Sequence, residues 1–259
     1  MRIVIKIGTS TLTYATGHPN IRHLENFCKV VSDLKNAGYE IIIVTSGAVG
    51  MGRGKAGVNE SPAELSMKQA LAAIGQCELM YTYDKYFGEY NHTVAQLLLT
   101  ASNFTEPQQH ENLISTMHTL LEMRVIPIIN ENDTVATQEL KIGDNDTLAA
   151  RVAVSVNADL LVLLTDIDGL YTADPNKDPT AKRISRIDAI TPEIEALAGG
   201  SASSVGTGGM VTKIEAAKLA TKAGTDMVIA NGRDPAILYD ILEGKGVGTR
   251  FVGLHRTMI

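Results

Sequence analysis

Tryptophan is absent from the sequence and only 5% of its 259 residues are aromatic, so the bulk of any core must come from aliphatic side chains. With 44% hydrophobic residues and 23 glycines, the composition favours aliphatic strands joined by tight glycine loops over an all-β sandwich. Cysteine is scarce too. Cys28 and Cys77 form no CxxC and lie in apolar helical settings, which excludes a disulfide framework and predicts a reducing compartment with both thiols as small core residues. No apolar run approaches the roughly 18 residues of a membrane span, and charges punctuate the short apolar run at the N-terminus as they would not in a signal peptide. A cytoplasmic protein is therefore expected, and triplets such as Asn91–Thr93 carry no glycosylation meaning. Basic charge is not in excess: 23 Lys and Arg against 29 Asp and Glu give a formal net charge of -6. That balance argues against a general nucleic-acid or membrane surface while leaving room for a local cationic pocket. The one basic cluster, KRISR at Lys182–Arg186, reads as a solvated face.

Several catalytic signatures are missing as well. The stretch GMGRGKAG at Gly50–Gly57 fails the Walker A pattern, because Val49 stands where the first glycine is needed and Ala56 replaces the hydroxyl residue. IKIGTS after the first apolar run is not GxGxxG, which removes the dinucleotide fingerprint. HENLI has Ile114 where a zinc protease needs its second histidine, and no His and Cys cluster supports a transition metal.

What is present is a regular alternation of periods. RIVIKIG reads as a first strand; Asn20 caps a helix whose apolar positions Ile21, Leu24, Cys28, Val31 and Leu34 precede a stop at Gly38. YEIIIVTSG is a second strand, nearly continuously apolar, as in a sheet covered on both faces. A helix follows from Glu64 to about Tyr86, then a strand in HTVAQLLLT, a helix at Gln109–Met123, and a strand in VIPIINEND that Pro127 weakens at its start. VATQELKIG reads as a short hairpin arm, Asp144–Val156 as a helix, and ADLLVLLTD as the clearest strand, with long loops behind it to about Ile187. Thr191 and Pro192 open a helix, Met210–Ala223 forms another, TDMVIAN a strand, Asp234 and Pro235 start a last helix, and GTRFVG suits a late edge strand. The order predicts an α/β fold, a three-layer αβα sandwich with a mostly parallel central sheet. Length sits near the limit of a single core, and no linker, repeat or low-complexity tract divides the chain.

In such a sheet ligands bind beyond the carboxyl ends of the strands. Here those ends read KIGTST, TSGAVG, INENDT, TDIDGLYTADP and, after a glycine span, GTGGMVTK. GTST and TSGAVG offer backbone N–H groups that can cradle anionic oxygens, although glycine at a turn is also common on steric grounds alone. Lys6 is more informative. An inward ammonium needs a carboxylate or phosphate beside it; the alternative is a snorkelling edge-strand lysine. Lys213 follows Gly206, Gly208 and Gly209 in the first turn of a helix and can reach back over a polyphosphate. Asp144, Asn145 and Asp146 together exceed what helix capping requires, and a carboxylate near two lysines would hold both charged. Asp166, Asp168 and Asp174 suit a metal, a nucleotide or simple Asx turns. None of His18, His23, His92, His110, His118 and His255 falls in these ends.

Taken together, KIGTSTLT, VTSGAVGMG, PIINENDTV, KIGDNDTLAA, LLTDIDGLYTADP and GTGGMVTKIEAA resemble the glutamate 5-kinase family, within the larger amino acid kinase fold family, over essentially the whole chain. The resemblance implies a carbamate kinase-like fold in a single domain over residues 1–259, with about 1–150 mainly binding glutamate and about 151–259 mainly ATP. It implies ATP-dependent phosphorylation of the side-chain carboxylate of L-glutamate to L-glutamyl 5-phosphate, the first step of proline biosynthesis. Lys6 and Lys213 would contact the phosphates and Asp146 orient them. Ser46, Gly47, Asp133 and Asn145 match glutamate-binding positions, and Lys6, Thr165, Asp166 and the run Thr207, Gly208, Gly209, Met210, Val211, Thr212 and Lys213 match ATP-binding ones. Further implications are Mg2+ held mainly through the nucleotide phosphates with no protein metal site, proline as feedback inhibitor, a glutamyl phosphate reductase partner, and a homo-oligomer, dimer or tetramer. Many members carry an extra C-terminal domain resembling an RNA-binding module; the sequence ends at Ile259, so neither that domain nor a nucleic-acid role is expected, and charge and hydropathy argue against a membrane partner. The competing readings are a related kinase for N-acetylglutamate, aspartate, carbamate or a nucleoside monophosphate, and a silent metabolite sensor, which would not need two converging cations.

Overall fold

Aliphatic runs of five or six residues become strands, and the segments of helical period between them become helices. A computed structural model describes residues 1–58, 63–136, 145–175, 177–199 and 209–254. In chain order these residues form β1 (Arg2–Ile7), α1 (Thr9–Leu12), α2 (Ile21–Asn36), β2 (Glu40–Val44), α3 (Ala48–Ala56), α4 (Leu65–Glu89), β3 (Val94–Leu99), α5 (Ser102–Thr105), α6 (Pro107–Glu122) and β4 (Ile126–Glu131). There follow α7 (Asn145–Ser155), β5 (Leu160–Thr165), β6 (Arg186–Ile187), α8 (Pro192–Gly199), α9 (Met210–Lys222), β7 (Asp226–Asn231), α10 (Ile237–Leu242) and β8 (Thr249–Phe251). Two compact units emerge, one of residues 7–142 and one of residues 1–6 with 143–259.

In the unit of residues 7–142 the strands lie in the order β3-β4-β2, all parallel. β4 is buried along its whole length, Pro127 included. The proline is accommodated by parity: the Ile126 N–H donates to Thr93 on the β3 side, so the nitrogen of Pro127 faces β2. The register with β2 begins only at Ile43 opposite Ile128, and no ladder bond is lost. Asn20 caps α2 by accepting from the His23 N–H at 3.3 Å, and Gly38 behind it takes the left-handed φ of 97°. Cys28 is buried, and burial raises its thiol pKa, but Cys77 is exposed, contrary to the core role expected for it. It lies on the outer face of α4, whose inner face carries Leu71, Ala72, Gly75, Gln76 and Leu79.

In the other unit the order is β1-β5-β7-β8-β6. β5 and β7 pair in parallel over six residues, from Leu160 opposite Asp226 to Thr165 opposite Asn231. All six residues of β5 are buried, so both of its faces are covered. β8 runs antiparallel to β7 and has β6 on its other side. GTRFVG is thus an interior strand and not an edge, because the two-residue β6, too short to register as a periodic signal, takes the outer position. The expected hairpin arm over VATQELKIG falls largely outside the described residues.

Candidate active site

The unit of residues 1–6 and 143–259 builds a charged centre from three distant segments. Lys6 lies near the end of β1, with neighbours Ile5 and Ile7 fully buried. Asp146 is in the first turn of α7 and Lys213 in the first turns of α9. α7 and α9 pack on each other, and their sequences show why: Ala149, Ala150 and Ala153 on one, and Ala216, Ala217 and Ala220 on the other, are wholly buried. Small side chains let the helices approach closely and bring their N-terminal turns together.

The result is one carboxylate between two ammonium groups. Lys6 Nζ lies 2.6 Å from Asp146 Oδ1 and Lys213 Nζ lies 3.1 Å from Asp146 Oδ2. The Asp146 side chain is 1% exposed, that of Lys213 7% and that of Lys6 12%. Burial pushes the Asp146 carboxyl upward, yet the charges and hydrogen bonds of Lys6 and Lys213 outweigh it and hold the group below its ordinary range. Asp146 is therefore an anion at neutral pH. Thr212 Oγ1 donates to the Gly209 carbonyl at 2.8 Å and lies 3.4 Å from Asp146 Oδ2. This threonine closes the first turn of α9 over the carboxylate, a role the sequence signals only as membership of the GTGGMVTK run.

Of the two readings for Lys6, the anionic partner is the one observed. Gly209 is the N-cap of α9 in extended conformation, without a capping side chain, which leaves the N–H groups of Met210, Val211 and Thr212 directed out of the helix end. Thr207 and Gly208 lie outside the described residues. Thr165 ends β5, its carbonyl accepts from the Gly232 N–H at 2.7 Å, and its hydroxyl donates to Asp166 Oδ1 at 3.0 Å. Asp168 accepts from Asn231 Nδ2 at 2.8 Å, and the Asp174 carbonyl from the Lys177 and Asp178 N–H groups. The Asp174 carbonyl thus closes a turn, and Asp168 ties the loop after β5 to the end of β7. Among the described residues no group of three His, Cys, Asp or Glu side chains could hold a metal ion. Asn145 precedes Asp146 as the first residue of α7.

The unit of residues 7–142 carries the other expected positions. After β2, the Thr45 N–H donates to the Ile129 carbonyl at 2.8 Å and the Thr45 hydroxyl is 2.9 Å from the Tyr83 hydroxyl. Ser46 follows, and then Gly47 with φ 99°, the N-cap of α3. That left-handed conformation is why glycine stands there. Asp133 is half-buried in a turn directly after β4, closed by the Val135 and Ala136 N–H groups on the Asn132 carbonyl. Sequence reasoning did not single out the amides behind this turn: the buried Asn130 donates through Nδ2 to Oε1 of the buried Gln76 at 2.9 Å, and Gln76 Nε2 donates to Oε1 of the exposed Gln96 at 3.0 Å.

Comparison with known proteins gives a consistent picture. The profile of the "Amino acid kinase family" matches residues 1–231. The chain is 50% identical to glutamate 5-kinase of Clostridium perfringens (strain 13 / Type A) over 255 residues, 97% of this chain and 95% of that one. It is 51% identical to glutamate 5-kinase of Listeria innocua over 254 residues, 96% and 92% of the two chains. Among solved structures, carbamate kinase from Giardia lamblia bound to AMP-PNP aligns with a TM-score of 0.70 at 18% identity, covering 98% of each chain. An isopentenyl phosphate kinase aligns with a TM-score of 0.68 at 18% identity, covering 97% of this chain and 100% of that one. At that identity the two structures establish the fold, a mostly parallel sheet covered by helices, as the strand order and periodicity predict.

Proposed function

The chain belongs to the amino acid kinase family, and from that premise we propose that it transfers the γ-phosphoryl group of ATP to the side-chain carboxylate of L-glutamate, giving L-glutamyl 5-phosphate and ADP in the first step of proline biosynthesis. The observation that carries this reading is the pair of lysines held on one buried carboxylate, Lys6 at 2.6 Å and Lys213 at 3.1 Å from Asp146. It is supported by the near-full-length identity to curated glutamate 5-kinases.

The chemistry follows from charge. A glutamate side chain, with a reference pKa of about 4.3, is ionised near pH 7 and needs no general base. One of its oxygens forms a bond to the γ-phosphorus while the bond to the bridging oxygen of ADP breaks, the electron pair leaving with ADP; no proton moves. The obstacle is repulsion between anions. Lys6 and Lys213 offset it most where charge spreads over the equatorial oxygens, and Asp146 keeps both ammonium groups aimed. Magnesium would come with the nucleotide, held mainly through phosphate oxygens in keeping with its preference for few protein ligands. Its chemistry there would be to add positive charge to the transferring group.

For the substrates, we assign Ser46, Gly47, Asp133 and Asn145 to glutamate and Lys6, Thr165, Asp166 and Thr207–Lys213 to ATP. Asp133 supplies a counter-charge for the α-ammonium, and backbone N–H groups near Ser46 and Gly47 suit a carboxylate. The resemblance further supports proline as feedback inhibitor and a reductase that consumes the labile acyl phosphate. We also propose a homo-oligomer: Met67, Ala70, Ile74, Cys77 and Tyr81 are exposed along one face of α4 at alternating spacings of three and four, a stripe suited to a helix of a second copy.

The test is acyl phosphate formation, trapped with hydroxylamine, from ATP with glutamate, N-acetylglutamate, aspartate or carbamate. Activity with glutamate, lost on N-acetylation, is expected. Comparable activity with N-acetylglutamate would point to the related kinases, and binding without turnover to a sensor.

A further inference from the structure

The buried face of α4 touches both chain segments to which Ser46, Gly47 and Asp133 belong. Gly75 lies against the first turn of α3: a Cβ there would come within 1.7 Å of the Ala48 carbonyl oxygen and 2.4 Å of the Gly52 nitrogen. A Cβ on Gly52 would come within 1.8 Å of the Leu71 carbonyl oxygen. The two helices therefore meet backbone to backbone immediately after Ser46 and Gly47, at a distance only a pair of glycines allows. The next residue, Gln76, accepts from Asn130 Nδ2 at 2.9 Å, three positions before Asp133. About two turns further along, the Tyr83 hydroxyl is 2.9 Å from that of Thr45, the residue before Ser46.

Apolar side chains could fill the space of Gln76 and Asn130 without the desolvation of two amides. A satisfied amide pair instead accepts one register, since any slip leaves buried polar groups unpaired. Gly75 is as restrictive for the opposite reason, because it permits no gap and no added atom. Residues 75 and 76, adjacent in the chain, thus fix the β2–α3 segment and the β4 segment to one rigid helix.

We infer that α4 is the positioning element for the amino-acid substrate, with Gly75, Gln76 and Tyr83 setting glutamate affinity without touching it. This rests on the assignment of Ser46, Gly47 and Asp133 to glutamate and deepens it. Asp146, Lys6 and Lys213 belong to other elements, so the nucleotide end of the reaction is not expected to respond.

The experiment is steady-state kinetics of the full chain, varying glutamate and ATP independently, with melting temperatures recorded alongside. Gln76→Met keeps length and removes the amide; it should raise the KM for glutamate about tenfold and leave the KM for ATP and kcat within about twofold. Tyr83→Phe should shift the glutamate KM in the same direction by less. Gly75→Ala should raise it most, or yield no soluble protein, in which case Gln76→Met and Tyr83→Phe decide. Gly88→Ala, on the same helix with nothing within 4 Å of an added Cβ, should behave as the parent. Parent-like glutamate KM values in Gln76→Met and Tyr83→Phe, or equal rises for both substrates, would overturn the proposal. A parent chain that forms no acyl phosphate overturns the functional reading and this one with it; an active parent with an unmoved Gln76→Met overturns this one alone.

Discussion

A carboxylate with 1% of its side chain exposed, between two ammonium groups, is the arrangement on which the proposed chemistry rests. Removing the shared partner of a buried ion pair costs far more than the pair contributes, because it strands the remaining charge. Asp146→Asn leaves Lys6 and Lys213 close together without their common anion, and should lower unfolding stability by about 3–5 kcal/mol in urea titrations. Bound ATP supplies replacement negative charge, so the stability deficit should shrink in its presence. The pH dependence has a definite sign. The Asp146 carboxyl is held below its ordinary value of 3.8 in the folded chain, so its contribution is fully present above that value and is lost only as pH falls further, through the folded pKa. The variant should therefore show a weaker acid-side loss of stability than the parent. Lys6 stood out in the sequence because an inward cation in an apolar strand requires an anion, with snorkelling as the alternative; Thr212 is in the run the resemblance implies for ATP, but its contact with Asp146 leaves no sequence signal, because a threonine in a first helical turn has many ordinary uses.

At the scale of elements, every strand except the two-residue β6 was legible, since near-continuous aliphatic runs have few alternatives. Helices α1, α3 and α5 were not. GTST has the composition of an open turn, and α3 carries Gly50, Gly52 and Gly54 within nine residues, a composition that intrinsic propensity opposes at about 1 kcal/mol per glycine. Tertiary contact overrides propensity here: Gly54 and Gly52 have neighbouring backbone where a side chain would stand. β8 is interior where its sequence suits an edge, because pairing with a two-residue strand leaves no trace in periodicity. Gly47 tests the local reading. Its φ is 99°, while an added Cβ would meet only ordinary contacts at 3.8 Å, so Gly47→Ala should cost about 1–2 kcal/mol of stability from backbone strain alone. Equilibrium unfolding measures it, and an unchanged midpoint would mean that the turn relaxes freely.

For the whole molecule, composition excluded classes more effectively than it identified one. No helix among the described residues is long and apolar enough to cross a membrane, and net charge is -6. The charged centre became legible only when strand ends distant in sequence were considered together, since no single one is a specific motif. The amide contacts of α4 stayed hidden for the same reason: Gln76, Asn130 and Gln96 share no sequence spacing that announces their contact. The exposed stripe on α4 makes an assembly prediction. Tyr81 is 65% and Ile74 40% exposed, and Tyr81→Glu should reduce the mass seen by light scattering to that of one chain while the circular dichroism spectrum is retained. An oligomer that persists in Tyr81→Glu would place the interface elsewhere.

The most direct test of the cation pair is the single-turnover rate of phosphoryl transfer in Lys213→Ala at saturating ATP and glutamate. Loss of one preformed charge-stabilising donor should slow the step about a hundredfold to a thousandfold, equivalent to roughly 2.7–4 kcal/mol of transition-state stabilisation, with the folded structure retained. A folded Lys213→Ala enzyme within about threefold of the parent rate, well short of the loss such a donor causes, would contradict the role assigned to the pair.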